Sequence, residues 1–278
     1  MPPKRNKILL VVLAVAVALL AVWLSIRPSN DRNWTTDQAV LPYAEISEDV
    51  VQVHNIRNFT YRSTTDYDVA YEDKAFRLDE LETLWYVVEP FEGWGAAHTF
   101  LSFGFKGQEY VAVSIEIRKE KGEQFSWLWG LFKRYELMYV VGDERDLIKL
   151  RSNYRKDTVY MYPVRASREK IRRLFLSMLE RANGLREQPE FYNTLTNTCT
   201  TNIMTHINAI SPKRIPFSWK VLFPSYSDQL AYDLGLLDTN LPLEQARARF
   251  RINDAALLHA ESPDFSLKIR EGFGTMRP

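Results

Sequence analysis

The one cysteine of the chain, Cys199, lies in a polar run of residues, 197–202, that reads Asn-Thr-Cys-Thr-Thr-Asn. The pattern predicts that a helix begins here, with Thr198 in the capping position. A helix N-terminus favours negative charge, which is what a nucleophilic thiolate needs. A lone cysteine is more often a small buried apolar residue, but polar residues on both sides of it are unusual for a core position. The residue types therefore predict a thiol nucleophile at Cys199.

A thiol nucleophile usually works with a histidine base that a third polar group orients. His206 follows Cys199 by about two helical turns, too far along the axis for a hydrogen bond. His54 and His259 lie in segments that give no reason to place them near the thiol. His98 lies on a predicted strand, with its ring on the polar face. The sequence therefore predicts a Cys199–His98 pair.

Two adjacent apolar runs, 97–105 and 109–118, are predicted to place His98 and its orienting group. The second run alternates strictly between apolar and polar residues, which is typical of a strand. A three-residue loop containing glycine joins the two runs and predicts a hairpin. Pairing the residues that flank the loop puts His98 opposite Glu116. Because a slip of one residue would turn each apolar set to the wrong face, this register is well constrained. Glu116 is therefore the predicted orienting carboxylate.

The remaining elements follow from periodicity. Further strands are predicted near 137–141, 147–150 and 158–164. Helices are predicted from Ser167 to a stop at Gly184, near 198–210, within 227–237 and within 243–250. Strands first and helices afterwards predict an α+β domain.

Three basic residues precede an uninterrupted apolar run, 8–24, at the N-terminus. The run is just long enough to cross the ~30 Å hydrocarbon layer, and the basic end predicts a cytoplasmic N-terminus. It exceeds a signal-peptide core and lacks a small-residue cleavage site, so an uncleaved anchor is expected, with a cleaved signal peptide as the alternative. We predict a membrane anchor at 1–27 that contacts the bilayer through residues 8–26, a linker at 28–50 and one extracytoplasmic domain at 51–278.

Composition excludes several classes of protein. The 278 residues carry 36 basic and 35 acidic side chains, a net charge of +1, without the basic excess of a nucleic-acid binder. A single cysteine and widely separated histidines predict no metal site. Phosphate-cradling glycine motifs do not occur, and no cofactor is predicted. The aromatic run 125–132 is predicted to belong to the core. Alternatively, it dips into lipid or holds an acyl chain.

Six ordered motifs make the region from about residue 50 to residue 215 resemble the Lnb N-terminal periplasmic domain family. These motifs are the segments 55–61, 97–105, 114–120, 135–146, 159–163 and 192–201. The family is named for the lipoprotein N-acyltransferase Lnb. The resemblance implies transfer of an acyl chain from the diacylglyceryl group of a lipoprotein onto its N-terminal cysteine. It also implies a papain-like or NlpC/P60-like thiol-protease fold, permuted because the His strand precedes the Cys helix.

The residues and the resemblance together predict a thiol enzyme of acyl transfer on the outer side of the inner membrane. His98 would take the proton of Cys199, and the thiolate would form a thioester that an amine or water resolves. The oxyanion- and substrate-binding candidates are Asn197, Thr200 and Arg118, together with backbone N–H groups of the helix. Two alternatives stay open: a cysteine peptidase or amidase acting on cell-wall peptide, and a non-enzymatic membrane-tethered binding module.

Overall fold

The computed structural model describes residues 4–91, 93 and 95–273. The chain begins with a long apolar helix, α1 (Lys4–Ser25), and continues into a domain built on a mainly antiparallel sheet. Helices cover both faces of this sheet, so most of its strands are buried on both sides. The fold is α+β behind an N-terminal apolar helix.

Eight strands among the described residues form the main sheet. They are β1 (Tyr43–Ile46), β2 (Val50–Arg57), β5 (Tyr71–Arg77), β6 (Leu81–Pro90), β7 (Ala97–Phe105), β8 (Glu109–Arg118), β9 (Glu136–Gly142) and β10 (Tyr160–Pro163). Their order across the sheet is β1-β2-β9-β8-β7-β6-β10, and β5 also pairs with β2. Two short strands, β3 (Thr60–Tyr61) and β4 (Tyr67–Asp68), form a separate ribbon.

The predicted hairpin of β7 and β8 is confirmed in its register. Phe105 pairs with Glu109, and the ladder runs without a slip to the pair Phe100–Ser114. The turn between the strands holds Gly107 with a φ of +74°, a left-handed conformation that costs glycine little. Strand alternation therefore puts odd-numbered residues of β7 on one face and even-numbered residues on the other.

Helices after β9 form the layers on the two faces. They are α2 (Glu144–Lys149), α3 (Arg168–Glu187), α4 (Cys199–Ile210), α5 (Trp219–Leu222), α6 (Ser227–Asp233), α7 (Leu243–Phe250), α8 (Asn253–Leu258) and α9 (Phe265–Lys268). Helices α3 and α4 pack with Leu101 and Phe103 of β7 on what we call the α4 face. Helices α2, α8 and α9 pack with Phe100 of β7 on the opposite, α2 face.

Helix α3 shows why the α4 face is stable. Its buried residues recur three and four positions apart, which makes one apolar stripe. Ser167 caps the helix, as predicted, by accepting a hydrogen bond from the backbone N–H of Lys170. The ring of Phe175 lies 4.9 Å from that of Phe103, and burial of such a side chain contributes about 1.5–3 kcal/mol.

Two local predictions were wrong. Residues 147–150, predicted as a strand, lie at the end of α2 and the start of a π-helical turn (Leu150–Arg155). Asp143 begins α2 by accepting a hydrogen bond from the N–H of Arg145 at 2.8 Å, and four residues of mixed polarity fit either structure. Helix α3 passes through Gly184, its predicted stop, to Glu187, because glycine inside a helix costs only about 1 kcal/mol.

The predicted linker, 28–50, is packed against the domain. The side chain of Trp34 is buried, and its ring lies 4.3 Å from the guanidinium carbon of Arg118. Arg118 also donates hydrogen bonds to the backbone carbonyl oxygens of Gln38 and Ala39. The polar composition of this segment therefore reflects hydrogen bonds to the domain rather than a free tether.

Helix α1 contains the one stretch among the described residues that is long and apolar enough to cross a membrane, Lys7–Ser25, with a mean hydropathy of 3.0 and no buried part. The chain contacts the domain within four residues of the end of this helix. Ser29 already donates its backbone N–H to Glu136 Oε1 at 3.2 Å. The end of α1 is therefore held close to the start of β9.

Candidate functional site

Cys199 is the first residue of α4, as predicted. Thr198 caps this helix: its hydroxyl accepts a hydrogen bond from the backbone N–H of Thr201 at 3.2 Å, and the Thr201 hydroxyl accepts one from the N–H of Thr198 at 2.7 Å. These reciprocal bonds satisfy two donors at the helix start and fix the backbone on which Cys199 sits. The side chain of Cys199 is only 8% exposed and belongs to the core of the α4 face.

The surroundings of the sulfur are threonine and tyrosine side chains. The Thr200 hydroxyl lies 3.7 Å from Cys199 Sγ and 3.1 Å from the hydroxyl of Thr99 on β7. Burial raises the pKa of the phenols of Tyr86 and Tyr192, and the Cys199 thiol is near enough to both to contribute to that rise. Helix α4 is thus docked on the sheet through polar contacts at its first turn.

An apolar cavity begins at Thr200, the residue after Cys199, and follows α4; Cys199 itself is not part of its lining. It encloses about 940 Å³ of empty space, including the part that opens to solvent. One wall is the α4 stripe that runs from Thr200 through Ile203 and Ile207 to Ile210. At 1.5 Å of rise per residue, this stripe is about 15 Å long. The opposite walls come from β6, α3, and α6 with the segment before it, through Leu84, Leu174, Val221, Leu230, Ala231 and Leu234.

Few polar groups line the cavity. At the end near Cys199 the Tyr86 hydroxyl donates to Ser227 Oγ at 2.7 Å, and Ser227 Oγ in turn donates to the backbone carbonyl of Pro224. Exposed cationic side chains, Arg165 and Lys170, stand at the solvent side. A mostly apolar pocket with a few placed polar groups is typical of a site for an apolar ligand.

His98 lies in a second polar cluster. Its Nε2 atom is 2.7 Å from Ser114 Oγ, which donates to Glu116 Oε1 at 2.8 Å. The distance from His98 Nε2 to Glu116 Oε1 is 3.9 Å. The predicted direct bond between Glu116 and the ring is therefore wrong: the two groups are neighbours as the register required, but the Ser114 hydroxyl is interposed.

Arg151 completes this cluster. It donates to Glu116 Oε1 at 2.9 Å and to Glu89 Oε2 at 2.8 Å. Burial and the Arg151 charge lower the pKa of His98 to about 3, so the imidazole is neutral at neutral pH. Burial alone would raise the pKa of Glu116, but the charge of Arg151 and the hydrogen bond from Ser114 outweigh it and hold that pKa well below its usual range. Sequence reasoning missed Arg151 because the segment before it, 147–150, was predicted as a strand, whereas the chain continues from α2 into a π-helical turn that carries Arg151.

The structure does not bring Cys199 and His98 together. The His98 ring stacks on Phe100, at 5.7 Å between centroids, and Phe100 belongs to the core of the α2 face. Thr99, the next residue, points to the α4 face and contacts Thr200. Strand alternation thus turns the imidazole to the side of the sheet opposite the thiol. Proton transfer between the predicted pair has no direct route in this arrangement.

Of the other predicted site residues, only Thr200 lies at the cavity. The Asn197 side chain donates to the carbonyl of Phe191 at 2.9 Å and accepts from Asn202 at 2.8 Å, so it fastens the loop before α4. Arg118 is buried beside Trp34 and holds the 28–50 segment. Its predicted role in substrate binding is therefore wrong, because its guanidinium donors are taken up there.

His206 is fixed within the core of the α4 face. Its Nε2 is 2.7 Å from the Tyr139 hydroxyl, and its Nδ1 is 2.8 Å from Ser177 Oγ. Burial lowers the pKa of His206 to about 4. Within residues 4–91, 93 and 95–273, no group of three or more His, Cys, Asp or Glu side chains is arranged to hold a metal ion.

These observations define a class of protein: an α+β domain behind a helix that can cross a membrane, with an apolar cavity beside a helix-terminal cysteine. Residues 67–225 match the family model described as the Lnb N-terminal periplasmic domain. The match covers more than half of the chain, and the protein belongs to this family, as the sequence motifs indicated. Its role is accordingly periplasmic and membrane-associated. No curated protein and no solved structure matches the chain.

Proposed function

We propose that the protein is a membrane-anchored thiol acyltransferase-like enzyme in which Cys199 carries an acyl chain as a thioester while the chain lies in the cavity along α4. The proposal includes a single-pass topology in the inner membrane, with the domain in the periplasm. It also includes the permuted papain-like or NlpC/P60-like arrangement that the resemblance implies, a Cys helix packed on the sheet that holds His98. The observation that carries the proposal is the apolar cavity that begins at Thr200, next to the thiol.

The length of the cavity lining along α4 supports an acyl ligand. Its α4 wall, about 15 Å long, equals half of the ~30 Å hydrocarbon layer, the depth that one acyl chain occupies in one leaflet. A cell-wall peptide is polar and would leave its hydrogen-bonding groups unsatisfied against these walls. The cavity therefore favours a lipid or lipoprotein substrate over the peptidase or amidase alternative.

The chemistry needs a thiolate and an oxyanion site. The thiolate sulfur bonds to the carbonyl carbon of an ester, and the alcohol leaves with a proton from water. An amine nitrogen then bonds to the same carbon and loses one proton to the hydroxide that the first step left, and sulfur leaves as the thiolate. Cys199 and Thr200 occupy the first two positions of α4, where backbone N–H groups have no partner within the helix and can face a developing oxyanion. In this proposal, His98, Ser114 and Glu116 stabilise the sheet beneath the site.

A second candidate function is favoured by the separation of Cys199 from His98. Without a histidine at the thiol, the same cavity serves a non-enzymatic membrane-tethered module that binds an acyl chain without transferring it. The two candidates differ in one measurable property, a covalent bond to the Cys199 sulfur.

The test is intact-mass spectrometry of the full-length protein in lipid nanodiscs that contain a phospholipid or diacylated lipopeptide as donor. We expect an acyl adduct on Cys199 that neutral hydroxylamine removes, and no such adduct in Cys199→Ser. Ala231→Trp, which fills the cavity, should block the adduct. Ala209→Trp, on the exposed side of α4, should not. An acyl lipid that co-purifies without ever forming the adduct would reject the enzyme and leave the binding module.

A further inference from the structure

We propose that the aromatic loop, residues 125–132, inserts into the interfacial region of the bilayer that α1 spans. The sequence prediction that this run belongs to the core was wrong. Its apolar side chains are exposed: Phe125 by 50%, Trp127 by 65%, Leu128 by 45%, Trp129 by 57% and Phe132 by 50%. The loop contains no charged residue. Such a contiguous apolar surface marks an interaction site for protein or membrane.

The place of the loop relative to α1 identifies the bilayer as its partner. Lys133, the residue after the loop, donates through Nζ to the backbone carbonyl oxygens of Trp23 at 3.2 Å and Ile26 at 3.3 Å. Its ammonium also lies 4.6 Å from the centre of the Trp23 ring. Ser29, three residues after Ile26, is already bonded to the domain. Because this connection is so short, the aromatic loop lies at the same depth in the membrane as the end of α1, where that helix passes from the hydrocarbon layer into the interface.

The residue types of the aromatic loop are those found at the membrane–water interface. Tryptophan is enriched at membrane–water interfaces, where one side of the ring is apolar and the N–H is hydrated. Two basic residues follow the aromatic loop: Lys133 is bonded to the end of α1, and the half-exposed Arg134 pairs with Glu123 at 2.7 Å. Basic side chains next to an apolar surface are the type that anionic lipid headgroups attract. The backbone of the loop is fixed in this orientation, since Ser126 donates its N–H to the hydroxyl of the buried Tyr135 at 3.0 Å. The side chains therefore face outward as a preformed surface.

The aromatic loop also contacts the segment that leads to Cys199. The Thr194 hydroxyl donates to the carbonyl of Trp127 at 2.7 Å, and the Thr194 N–H donates to the carbonyl of Gly130 at 3.3 Å. Helix α4 begins five residues later. Insertion of the aromatic loop thus holds the N-terminus of α4 at the bilayer surface. The acyl donor is then a lipid from the leaflet into which the loop inserts. This last step rests on the proposed function.

The test of insertion is fluorescence of the full-length chain in phosphatidylcholine–phosphatidylglycerol vesicles. In a Cys199→Ser background, Leu128→Cys and the control Leu258→Cys, an exposed leucine in α8, each receive an environment-sensitive label. Spin labels on lipid chains should quench the label at position 128 at least about threefold more strongly than that at 258. Equal quenching at the two positions, or quenching at 128 by aqueous iodide alone, would overturn the insertion.

A second measurement separates this proposal from the proposed function. Trp127→Ser combined with Trp129→Ser should slow formation of the Cys199 adduct from a bilayer donor about tenfold and leave adduct formation from a water-soluble short-chain donor unchanged. The control Leu257→Ser should change neither rate. Equal slowing with both donors would overturn delivery from the bilayer. Lipid quenching at position 128 without any Cys199 adduct would reject the thiol chemistry and support the membrane-inserted loop.

Discussion

Replacing His98 by glutamine tests whether this histidine acts on Cys199 or only on the structure. In the wild type its Nε2 atom bonds to Ser114 Oγ and its ring stacks on Phe100, on the α2 face. The ring does not touch Cys199, which packs in the core of the opposite face. We expect the alkylation rate of the thiol in His98→Gln to stay within about twofold of the wild-type rate.

The stability of the variant should fall. A lost intramolecular hydrogen bond costs about 0.5–1.5 kcal/mol and a lost aromatic pair about 0.5–1.5 kcal/mol. The Ser114 hydroxyl keeps Glu116 as its acceptor, so no further buried donor is left unsatisfied. We therefore expect the free energy of unfolding to decrease by about 1–3 kcal/mol in His98→Gln.

Because Cys199 is the one thiol of the chain, iodoacetamide labelling reports on it alone. The labelling rate is measured by mass spectrometry under folding conditions, and stability by urea unfolding followed through tryptophan fluorescence. Thr200→Val, which removes the hydroxyl 3.7 Å from the sulfur, is the positive control and should change the rate. A more than tenfold slower labelling of His98→Gln at unchanged stability would refute the separation of the two residues.

Three further outcomes are expected. Burial holds the folded-state pKa of His98 at about 3 against an ordinary value of 6.5, so as the pH falls the unfolded chain binds the proton first. The contribution of His98 to stability is therefore complete above pH 6.5 and falls toward pH 3. Between pH 7 and pH 5, His98→Gln should lose less free energy of unfolding than the wild type loses. Asp146→Asn should lower the free energy of unfolding by about 3–5 kcal/mol, because it leaves the buried Arg57 guanidinium, now bonded to it at 2.9 Å, without a counter-charge. Gly130→Ala should destabilise by about 1–3 kcal/mol, since the added Cβ would lie 2.3 Å from Thr194 Oγ1.

Each outcome has a control. The pH effect is read as the difference between the wild-type and His98→Gln urea midpoints, which cancels groups that titrate alike in both. Asp66→Asn, at an exposed ion pair with Arg62, should cost far less stability than Asp146→Asn, and an equal cost at the two positions would contradict the argument from burial. Adding Thr194→Ala to Gly130→Ala should restore part of the lost stability, and no restoration would show that the crowding lies elsewhere.

Local patterns in the sequence were sufficient to predict several elements of this protein. The alternation of 109–118 and the short loop before it predicted the β7–β8 register, because a slip of one residue would expose a whole apolar face. Ser167 and Thr198 predicted the starts of α3 and α4, since capping depends on a few neighbouring residues. The apolar run at the N-terminus and the ordered motifs predicted α1 and the family.

Contacts between distant segments decided the rest. Alternation in β7 divides its residues between two faces, but both faces are buried in the fold, so the sequence could not indicate which one α4 would cover. That choice separates Cys199 from His98. The aromatic loop, 125–132, has the composition of a core, and only its position beside the end of α1 leaves it exposed. The sequence determined the elements and which helix carries the thiol, while the tertiary structure decided which side chains share a face. The direction of a side chain follows from local backbone geometry, but the helix that covers each face of the sheet depends on contacts between distant segments.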